Sequence, residues 1–266
     1  MFKTRLISGI VLVVAALILI ITGGEVLLVS ACAVSLVGMY ELYRVYHMER
    51  TVMATIGYLA AMLFYLDLYV NWIPEPMLFV IGFLIVLLAV YVLWYPRYHA
   101  SQVTAVFFGV FYVAVMLSSV YQTRIMEQGA YIVWLIFLCS WGCDTCAYCV
   151  GVKLGKHKMS PVLSPKKSIE GAIGGLAGTF LLTAGYAAAF QAQMGITTTQ
   201  IFILAGISTA GGLISMIGDL AASAIKRNYE IKDYGTLIPG HGGILDRFDS
   251  VIFTAPVIYY LADYLL

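Results

Sequence analysis

Charged side chains are scarce in this 266-residue chain: Asp, Glu, Lys and Arg make up 11% of it, against about a quarter in soluble domains. Apolar residues account for 62%. So little polar material cannot cover a globule that faces water on all sides. The composition excludes an ordinary soluble domain and indicates an integral membrane protein. A net charge of +1 gives no reason to expect a nucleic-acid partner.

Cysteines are absent from the predicted loops, which argues against a disulfide framework. All five lie in apolar runs: Cys32, Cys139, Cys143, Cys146 and Cys149. The last three are spaced like metal ligands, but on one helix they turn progressively around its surface and no His is near them. We interpret them as packing residues.

Nine apolar segments are long enough to cross a bilayer, which takes about 20 residues. No small-residue cleavage site follows the first of them, so we expect it to remain as a membrane helix. The predicted fold is an all-α polytopic membrane protein with helices near 5–22, 26–43, 52–70, 77–95, 102–121, 130–150, 171–190, 199–222 and 251–266.

The basic residues predict an orientation. With a cytoplasmic N-terminus, every Lys and Arg from Lys3 and Arg5 onward falls inside except Arg124, as the positive-inside rule requires. Leu266 then lies on the opposite side. We divide the chain into N-terminal membrane helices, 1–125, and a catalytic part, 126–266, with cytoplasmic loops 151–170 and 224–250.

Two carboxylates inside predicted helices are the first functional candidates. Asp144 and Asp219 lie toward the cytoplasmic ends of their spans, where each costs up to about 2.5–3.5 kcal/mol. Because both face the same basic loops, we interpret them as functional; the alternative is a structural hydrogen bond or a Lys partner. Asp67 is interpreted as interfacial, as are the isolated histidines His47, His99 and His157.

The eighth span carries a polar stripe. Ser215, Asp219 and Ser223 are four residues apart, and Lys226 and Arg227 follow on the same side. Snorkelling to headgroups would explain the two cations but not the acid and the serines.

The second loop mixes acids, cations and glycines in a pattern that suits a metal-bound phosphate. Gly242 and Gly243 allow close approach of the backbone to a ligand, and Asp246 and Asp249 share a face if the segment is helical. The alternative is a solvated polar loop. Its candidate residues include Lys232, Asp233, His241, Asp246, Arg247 and Asp249.

The first loop leads into the seventh span. Ser168 is a predicted N-cap with Glu170 in the first turn. Lys166 and Lys167 therefore lie beside a helix N-terminus, a natural anion site, although such lysines can also bind anionic headgroups. The glycines that follow are spaced for close helix packing: Gly171, Gly174, Gly175 and Gly178.

Residues 223–249 resemble the signature of the phosphatidate cytidylyltransferase (CDP-diacylglycerol synthase) family. That signature reads Ser-x-aliphatic-Lys-Arg, four residues, Lys-Asp, and then Pro-x-His-Gly-Gly-x-x-Asp-Arg-x-Asp. The matching residues are Ser223, Lys226, Arg227, Lys232, Asp233, Pro239, His241, Gly242, Gly243, Asp246, Arg247 and Asp249. The segments 144–148 and 164–171 are also similar to the family, whereas the first five spans resemble it only in hydropathy.

The resemblance implies an enzyme that joins CTP to phosphatidic acid, giving CDP-diacylglycerol and pyrophosphate. It implies Mg²⁺, K⁺ as a second ion, and a homodimer. We expect a bacterial inner membrane, with the active site facing the cytoplasm; the sequence leaves an organellar membrane open. Asp144, Asp219 and Asp246 would bind metal. Phosphates would be held by Lys226, Arg227 and Arg247, and substrate by Lys166, Lys167, Ser223, Lys232, Gly242 and Gly243. His241 and Asp249 would position the loop or the substrate.

Two other functions remain open from the sequence. A CTP-dependent polyprenol or dolichol kinase would transfer the γ-phosphoryl group to an alcohol. A transporter for a phosphorylated ion would carry polar residues across the whole membrane depth and often shows broken helices; neither feature is found here.

Overall fold

A bundle of long helices forms the protein. The computed structural model describes the backbone of residues 2–265 and the side chains of residues 7–262 and 264; predictions about Lys3, Arg5 and Leu266 lie outside these side chains. The helices are α1 (Phe2–Thr22), α2 (Gly24–Val45), α3 (Val52–Val70), α4 (Pro76–Leu93), α5 (Ala100–Ile125), α6 (Gly129–Leu154), α7 (Ile169–Ala189), α8 (Gln191–Met194), α9 (Thr198–Asn228) and α10 (Leu245–Leu265).

Each of the nine predicted segments coincides with one of these helices. Among the described residues, seven helices are long and apolar enough to cross a membrane: α2 to α7 and α9. The described part of α1, Ile7–Thr22, is a shorter apolar helix. A polytopic helical membrane protein is therefore confirmed, while nine crossings and the sides of the two termini stay predictions.

Helices α9 and α10 are longer than predicted at their facing ends. Helix α9 continues to Asn228, so Lys226 and Arg227 are helical, and α10 begins at Leu245, so Asp246 and Asp249 are helical too. The second loop is therefore residues 229–244 instead of 224–250. A hydropathy pattern indicates only the part of a helix that crosses the apolar core of the membrane, whereas backbone hydrogen bonds continue the helix into the polar region.

The first loop contains a small antiparallel hairpin, which corrects the all-α prediction. Strands β1 (Lys158–Ser160) and β2 (Ser164–Ser168) pair Lys158 with Ser168 and Ser160 with Ser164. Pro161 and Pro165 disfavour a helix here because proline lacks an amide hydrogen and clashes with the preceding turn.

The outer surface of the bundle is strongly apolar. Leu93 is 75% exposed and Leu181 is 69% exposed, which in water would be unfavourable over so many residues but suits contact with lipid tails. Inside, α10 packs against α9 and the second half of α5, and α6, α7 and α9 pack against one another. The ends of these helices position the polar residues.

The glycine face of α7 packs against α6, as predicted. A Cβ at Gly174 would lie 2.5 Å from Cβ of Val150, and one at Gly178 would lie 2.6 Å from Cβ of Cys146. The two backbones therefore approach more closely than side chains would allow. Cys146 serves here as a packing residue.

We expect Gly174→Ala to destabilise the protein by about 1–3 kcal/mol, because the new methyl group must push α7 away from Val150. Thermal unfolding in detergent checks this. Gly185→Ala on the same helix is the matched control, since a Cβ there meets nothing within 4 Å. Equal melting temperatures for the two variants would contradict close packing at Gly174.

Candidate active site

Helices α6, α7 and α9 and the hairpin enclose a cavity of about 620 Å³, which we call the acid–lysine cavity. It combines an apolar wall with two carboxylates and three lysines. Its lining is Asp144, Ala147, Tyr148, Gly151, Val152, Lys158, Met159, Lys166, Lys167, Ser168, Gly171, Ala172, Met216 and Asp219. Both of the intramembrane acids singled out from the sequence therefore face one cavity.

Asp144 and Asp219 reach this cavity from different helices. Asp144 lies two residues beyond Leu138–Gly142, a π-helical segment of α6, a feature often found at functional sites. Asp219 lies on α9, where its Oδ2 forms an ion pair with Nζ of Lys167. Asp144 also interacts electrostatically with Lys167 and Asp219. The predicted convergence of the two acids is confirmed.

Lys167 lies among several negative charges. Burial lowers the pKa of Lys167, but the negative charges of Asp219, Asp144 and Asp249 raise it by more than burial lowers it. The pKa of Lys167 is therefore above its ordinary value. The ammonium group therefore stays charged at neutral pH. A fixed cation in a partly desolvated cavity is well suited to bind phosphate oxygens.

Asp246, a third and more deeply buried acid, has a different set of partners. Oδ1 of Asp246 accepts a hydrogen bond from Nζ of Lys226 at 2.8 Å, and Oδ2 accepts from the backbone N–H groups of Tyr234 at 2.7 Å and Gly243 at 2.9 Å. Both carboxylate oxygens are thus engaged by the protein. Asp246 ties the start of α10 to α9 and to the second loop.

Arg247 and Asp249 connect the Asp144–Asp219 pair with the Asp246–Lys226 pair. Asp249 is buried and interacts electrostatically with Asp219, Lys226 and Asp144. Arg247 interacts with Asp144, and its Nε is buried without a hydrogen-bond partner among the described residues. A buried guanidinium nitrogen with no partner is costly unless a ligand accepts from it. Arg247 is therefore suited to hold a phosphate, as predicted.

The remaining predicted residues are dispersed. Ser223 is buried on α9 one turn from Asp219, Lys232 is exposed, and exposed Arg227 donates from Nη1 to the carbonyl of Ile231 at 3.2 Å. Nδ1 of His241 lies 2.8 Å from Oγ of Ser8 on α1. This contact fits the loop-positioning alternative for His241.

The two loop glycines are required for geometric reasons. Gly242 has φ of +90°, and a Cβ there would lie 2.8 Å from Oδ2 of Asp246. A Cβ at Gly243 would clash with the carboxylate of Glu41. Glycine at both positions lets the loop close around two buried acids.

Glu41 and Arg44 on α2 were missed by the sequence analysis. Glu41 is 4% exposed, and its two carboxylate oxygens accept from the N–H groups of Ile244 at 3.0 Å and Leu245 at 2.8 Å. Nη2 of Arg44 donates to the carbonyl of Tyr234 at 2.7 Å. An acid within an apolar span was a usable signal, but no motif surrounds it. Glu41 caps α10, the helix that carries Asp246 and Asp249.

We expect Glu41→Ala to destabilise the protein by about 1–3 kcal/mol for each amide left unpaired. Hydrogen exchange at Ile244 and Leu245, together with thermal unfolding, measures the effect. Glu25→Ala is the control on the same helix, because within the described residues Glu25 accepts a side-chain hydrogen bond only from Tyr69, at an exposed position. Unchanged protection of the two amides would contradict the capping role.

The hairpin is fixed to α7 through predicted and unpredicted contacts. Oγ of Ser168 accepts from the N–H of Gly171 at 3.1 Å, which confirms the N-cap. Glu170 lies 2.6 Å from Nδ1 of His157 and accepts from the N–H of Lys156. His157, read as isolated, is therefore a partner of Glu170. These contacts hold Lys166 and Lys167 over the cavity.

The acid–lysine cavity fits Mg²⁺ shared with a substrate. Among the described residues, no three His, Cys, Asp or Glu side chains come close enough to hold a metal by themselves. Mg²⁺ usually takes one or two carboxylates, with phosphates and waters completing its shell. Asp144 and Asp219 supply such a pair. Metal binding by Asp144, Asp219 and Asp246 remains a prediction, and Asp246 would have to exchange present hydrogen bonds for it.

Fold and site together define a polytopic membrane protein with a cavity lined by two carboxylates and three lysines. The chain matches the cytidylyltransferase family over residues 3–265 and belongs to it. It is 31% identical over 264 residues to a phosphatidate cytidylyltransferase of Staphylococcus aureus (strain COL), covering 97% of this chain and 98% of the relative. It is 30% identical over 266 residues to the phosphatidate cytidylyltransferase of Bacillus subtilis (strain 168), covering 97% of each chain.

Proposed function

We propose that this protein is a phosphatidate cytidylyltransferase, which transfers the CMP group of CTP to phosphatidic acid and releases pyrophosphate. The observation that carries the proposal is the acid–lysine cavity, in which Asp144 and Asp219 lie with Lys166 and Lys167 in a chain of the cytidylyltransferase family. The apolar outer surface lets the acyl chains of the lipid stay in the bilayer.

The reaction depends on stabilising negative charge more than on transferring a proton. A phosphate oxygen of phosphatidic acid attacks the α-phosphorus of CTP, the bond to the bridging α–β oxygen breaks, and its electrons leave on pyrophosphate. The lipid phosphate is largely dianionic at pH 7, because its second pKa is about 6. A strong general base is therefore unnecessary. The barrier comes from repulsion between anions and from charge on the leaving group.

Basic residues around the cavity oppose this repulsion. Lys167 is charged and held in place by Asp219, and exposed Lys166 lies next to it. Arg247 offers an Nε that has no partner in the part of the chain that the structure describes. We assign phosphate binding to these three side chains. Lys226 is engaged in its ion pair with Asp246.

Mg²⁺ bound by Asp144 and Asp219 would supply positive charge to the transferred and leaving phosphates. K⁺ is the proposed second ion. The positive-inside pattern supports an active site that faces the cytoplasm, where CTP is available, in a bacterial inner membrane. The homodimer is proposed from the family resemblance.

The test is an assay of the purified protein in detergent with CTP labelled at the α-phosphorus, phosphatidic acid and Mg²⁺. We expect label in the lipid extract, release of unlabelled pyrophosphate, and loss of both products when EDTA removes the metal. A parallel assay uses CTP labelled at the γ-phosphorus with polyprenol. Label on the alcohol would favour the kinase, and no transfer in either assay would reject both enzymes.

A further inference from the structure

Tyr112 has a buried hydroxyl group that the chain does not satisfy. The residue is 4% exposed, and its hydroxyl has no hydrogen-bond partner among the described residues. A phenol hydroxyl can donate one hydrogen bond, and leaving it unpaired in the interior costs free energy. Tyr112 lies on α5, to which the sequence analysis assigned no chemistry.

Two site carboxylates lie within electrostatic range of this hydroxyl. Tyr112 interacts electrostatically with Asp249, Tyr46 and Asp219; Asp249 lies near the start of α10 and Asp219 lines the acid–lysine cavity. Tyr112 also belongs to Val110–Val115, a π-helical segment, a feature often associated with functional sites. The hydroxyl of Tyr112 is therefore linked electrostatically to the proposed site, although Tyr112 is absent from the lining of the acid–lysine cavity.

The ring of Tyr112 is held between two other aromatic rings. It stacks on Phe108, with centroids 4.8 Å apart and planes 10° apart, and meets the edge of Phe253 at 5.9 Å. Phe253 also packs against Gly218, the neighbour of Asp219. Such packing fixes the direction of the hydroxyl before a ligand arrives, which is the property expected of a preorganised donor.

Three more buried hydroxyls lack a hydrogen-bond partner among the described residues, and they have a simpler explanation. Thr183, Ser208 and Ser215 lie on helices, where a change of rotamer brings a short side chain to the carbonyl oxygen one turn earlier. The Tyr112 oxygen stands at the far end of a rigid ring and cannot return to its own helix. It needs a partner from outside α5.

We infer that the hydroxyl of Tyr112 donates a hydrogen bond to a phosphate oxygen of a bound substrate. This inference rests on the proposed function. A neutral donor suits the position, because it contributes a hydrogen bond without forming a permanent ion pair with Asp219 or Asp249. The phosphate oxygen belongs either to CTP or to phosphatidic acid, which share this acceptor chemistry.

Tyr112→Phe tests the inference, with Tyr65→Phe as the matched control. Tyr65 is also buried in the membrane part, but its hydroxyl lies 2.8 Å from Oγ of Ser35. For Tyr112→Phe we expect kcat/KM to fall about 10- to 100-fold, the loss typical of a hydrogen bond to a charged group, with an unchanged or higher Tm. For Tyr65→Phe we expect a lower Tm and wild-type kinetics.

Varying each substrate in turn identifies the acceptor. A higher KM for CTP alone places the hydrogen bond on the nucleotide, and a higher KM for phosphatidic acid alone places it on the lipid. A lower kcat with both KM values unchanged indicates a bond formed in the transition state. Wild-type kinetics in Tyr112→Phe, or losses of activity and Tm as in a destabilised protein, would overturn the inference.

A binding measurement keeps this test separate from the proposed function. The rise in Tm caused by CTP alone, or by phosphatidic acid alone, reports binding without turnover. We expect one of these rises to be smaller in Tyr112→Phe than in the wild type. An inactive wild-type protein would reject the proposed function, whereas equal ligand-induced rises together with wild-type kinetics in Tyr112→Phe would reject the role of Tyr112.

Discussion

Asp219→Asn is expected to reduce turnover by about 10²–10³-fold or more, the size of effect seen when one preorganised electrostatic group is lost. The substitution removes the negative charge that pairs with Lys167 and that would hold Mg²⁺. Asp219 is only partly buried and faces the acid–lysine cavity. Thermal unfolding should therefore change little, and the affinity for Mn²⁺, used as a spectroscopic probe in place of Mg²⁺, should fall.

Asp67→Asn provides a control for a carboxylate in a membrane helix. Asp67 accepts backbone hydrogen bonds from Trp72 and Ile73 and is absent from the cavity lining. We expect this variant to keep wild-type turnover and wild-type affinity for Mn²⁺. Wild-type rates in Asp219→Asn would contradict the proposal that the cavity binds the metal and the phosphates.

Asp246→Asn is expected to lower the stability of the protein by about 3–5 kcal/mol, the cost of leaving one partner of a buried ion pair uncompensated. Lys226 would lose its charged partner, and the hydrogen bonds from Tyr234 and Gly243 would weaken. Loss of activity should therefore accompany loss of folded protein, in contrast to Asp219→Asn. Thermal unfolding and the folded fraction in detergent measure this effect.

The double variant Asp246→Asn/Lys226→Met separates the structural and catalytic contributions. If the pair is the source of stability, the double variant should be more stable than the sum of the two single losses predicts, because neither charge is left alone. A double variant that recovers stability but not turnover would assign direct chemistry to the Asp246–Lys226 pair. Additive losses of stability would contradict the importance of the pair.

Much of the helical framework could be predicted because the bilayer constrains it. Backbone groups in a membrane must be paired within a segment, so each apolar run becomes a helix. Orientation then predicted that Asp144 and Asp219 meet, and local chemistry predicted the cap at Ser168. The structure confirms that Asp144 and Asp219 face one cavity and that Ser168 caps α7, whereas the orientation stays a prediction.

The missed features depend on contacts between distant parts of the chain. Glu41 pairs with amides more than 200 positions away, and no local pattern encodes such a partner. Asp219 and Asp246 looked alike in sequence, as acids near cations. The structure separates them: Asp219 faces a cavity, while Asp246 is enclosed by Lys226 and backbone amides. Burial of a charge is a tertiary property.

The capping of α10 by Glu41 limits how this polypeptide can be cut into pieces. A fragment that starts at residue 126 would contain every signature residue yet lack Glu41 and Arg44, which hold Ile244, Leu245 and Tyr234. Its second loop would have no anchor on α2. The first helices, which resemble the family only in hydropathy, therefore hold the signature residues in place. We expect activity only when residues 1–125 and 126–266 are present together, on one chain or as co-expressed fragments.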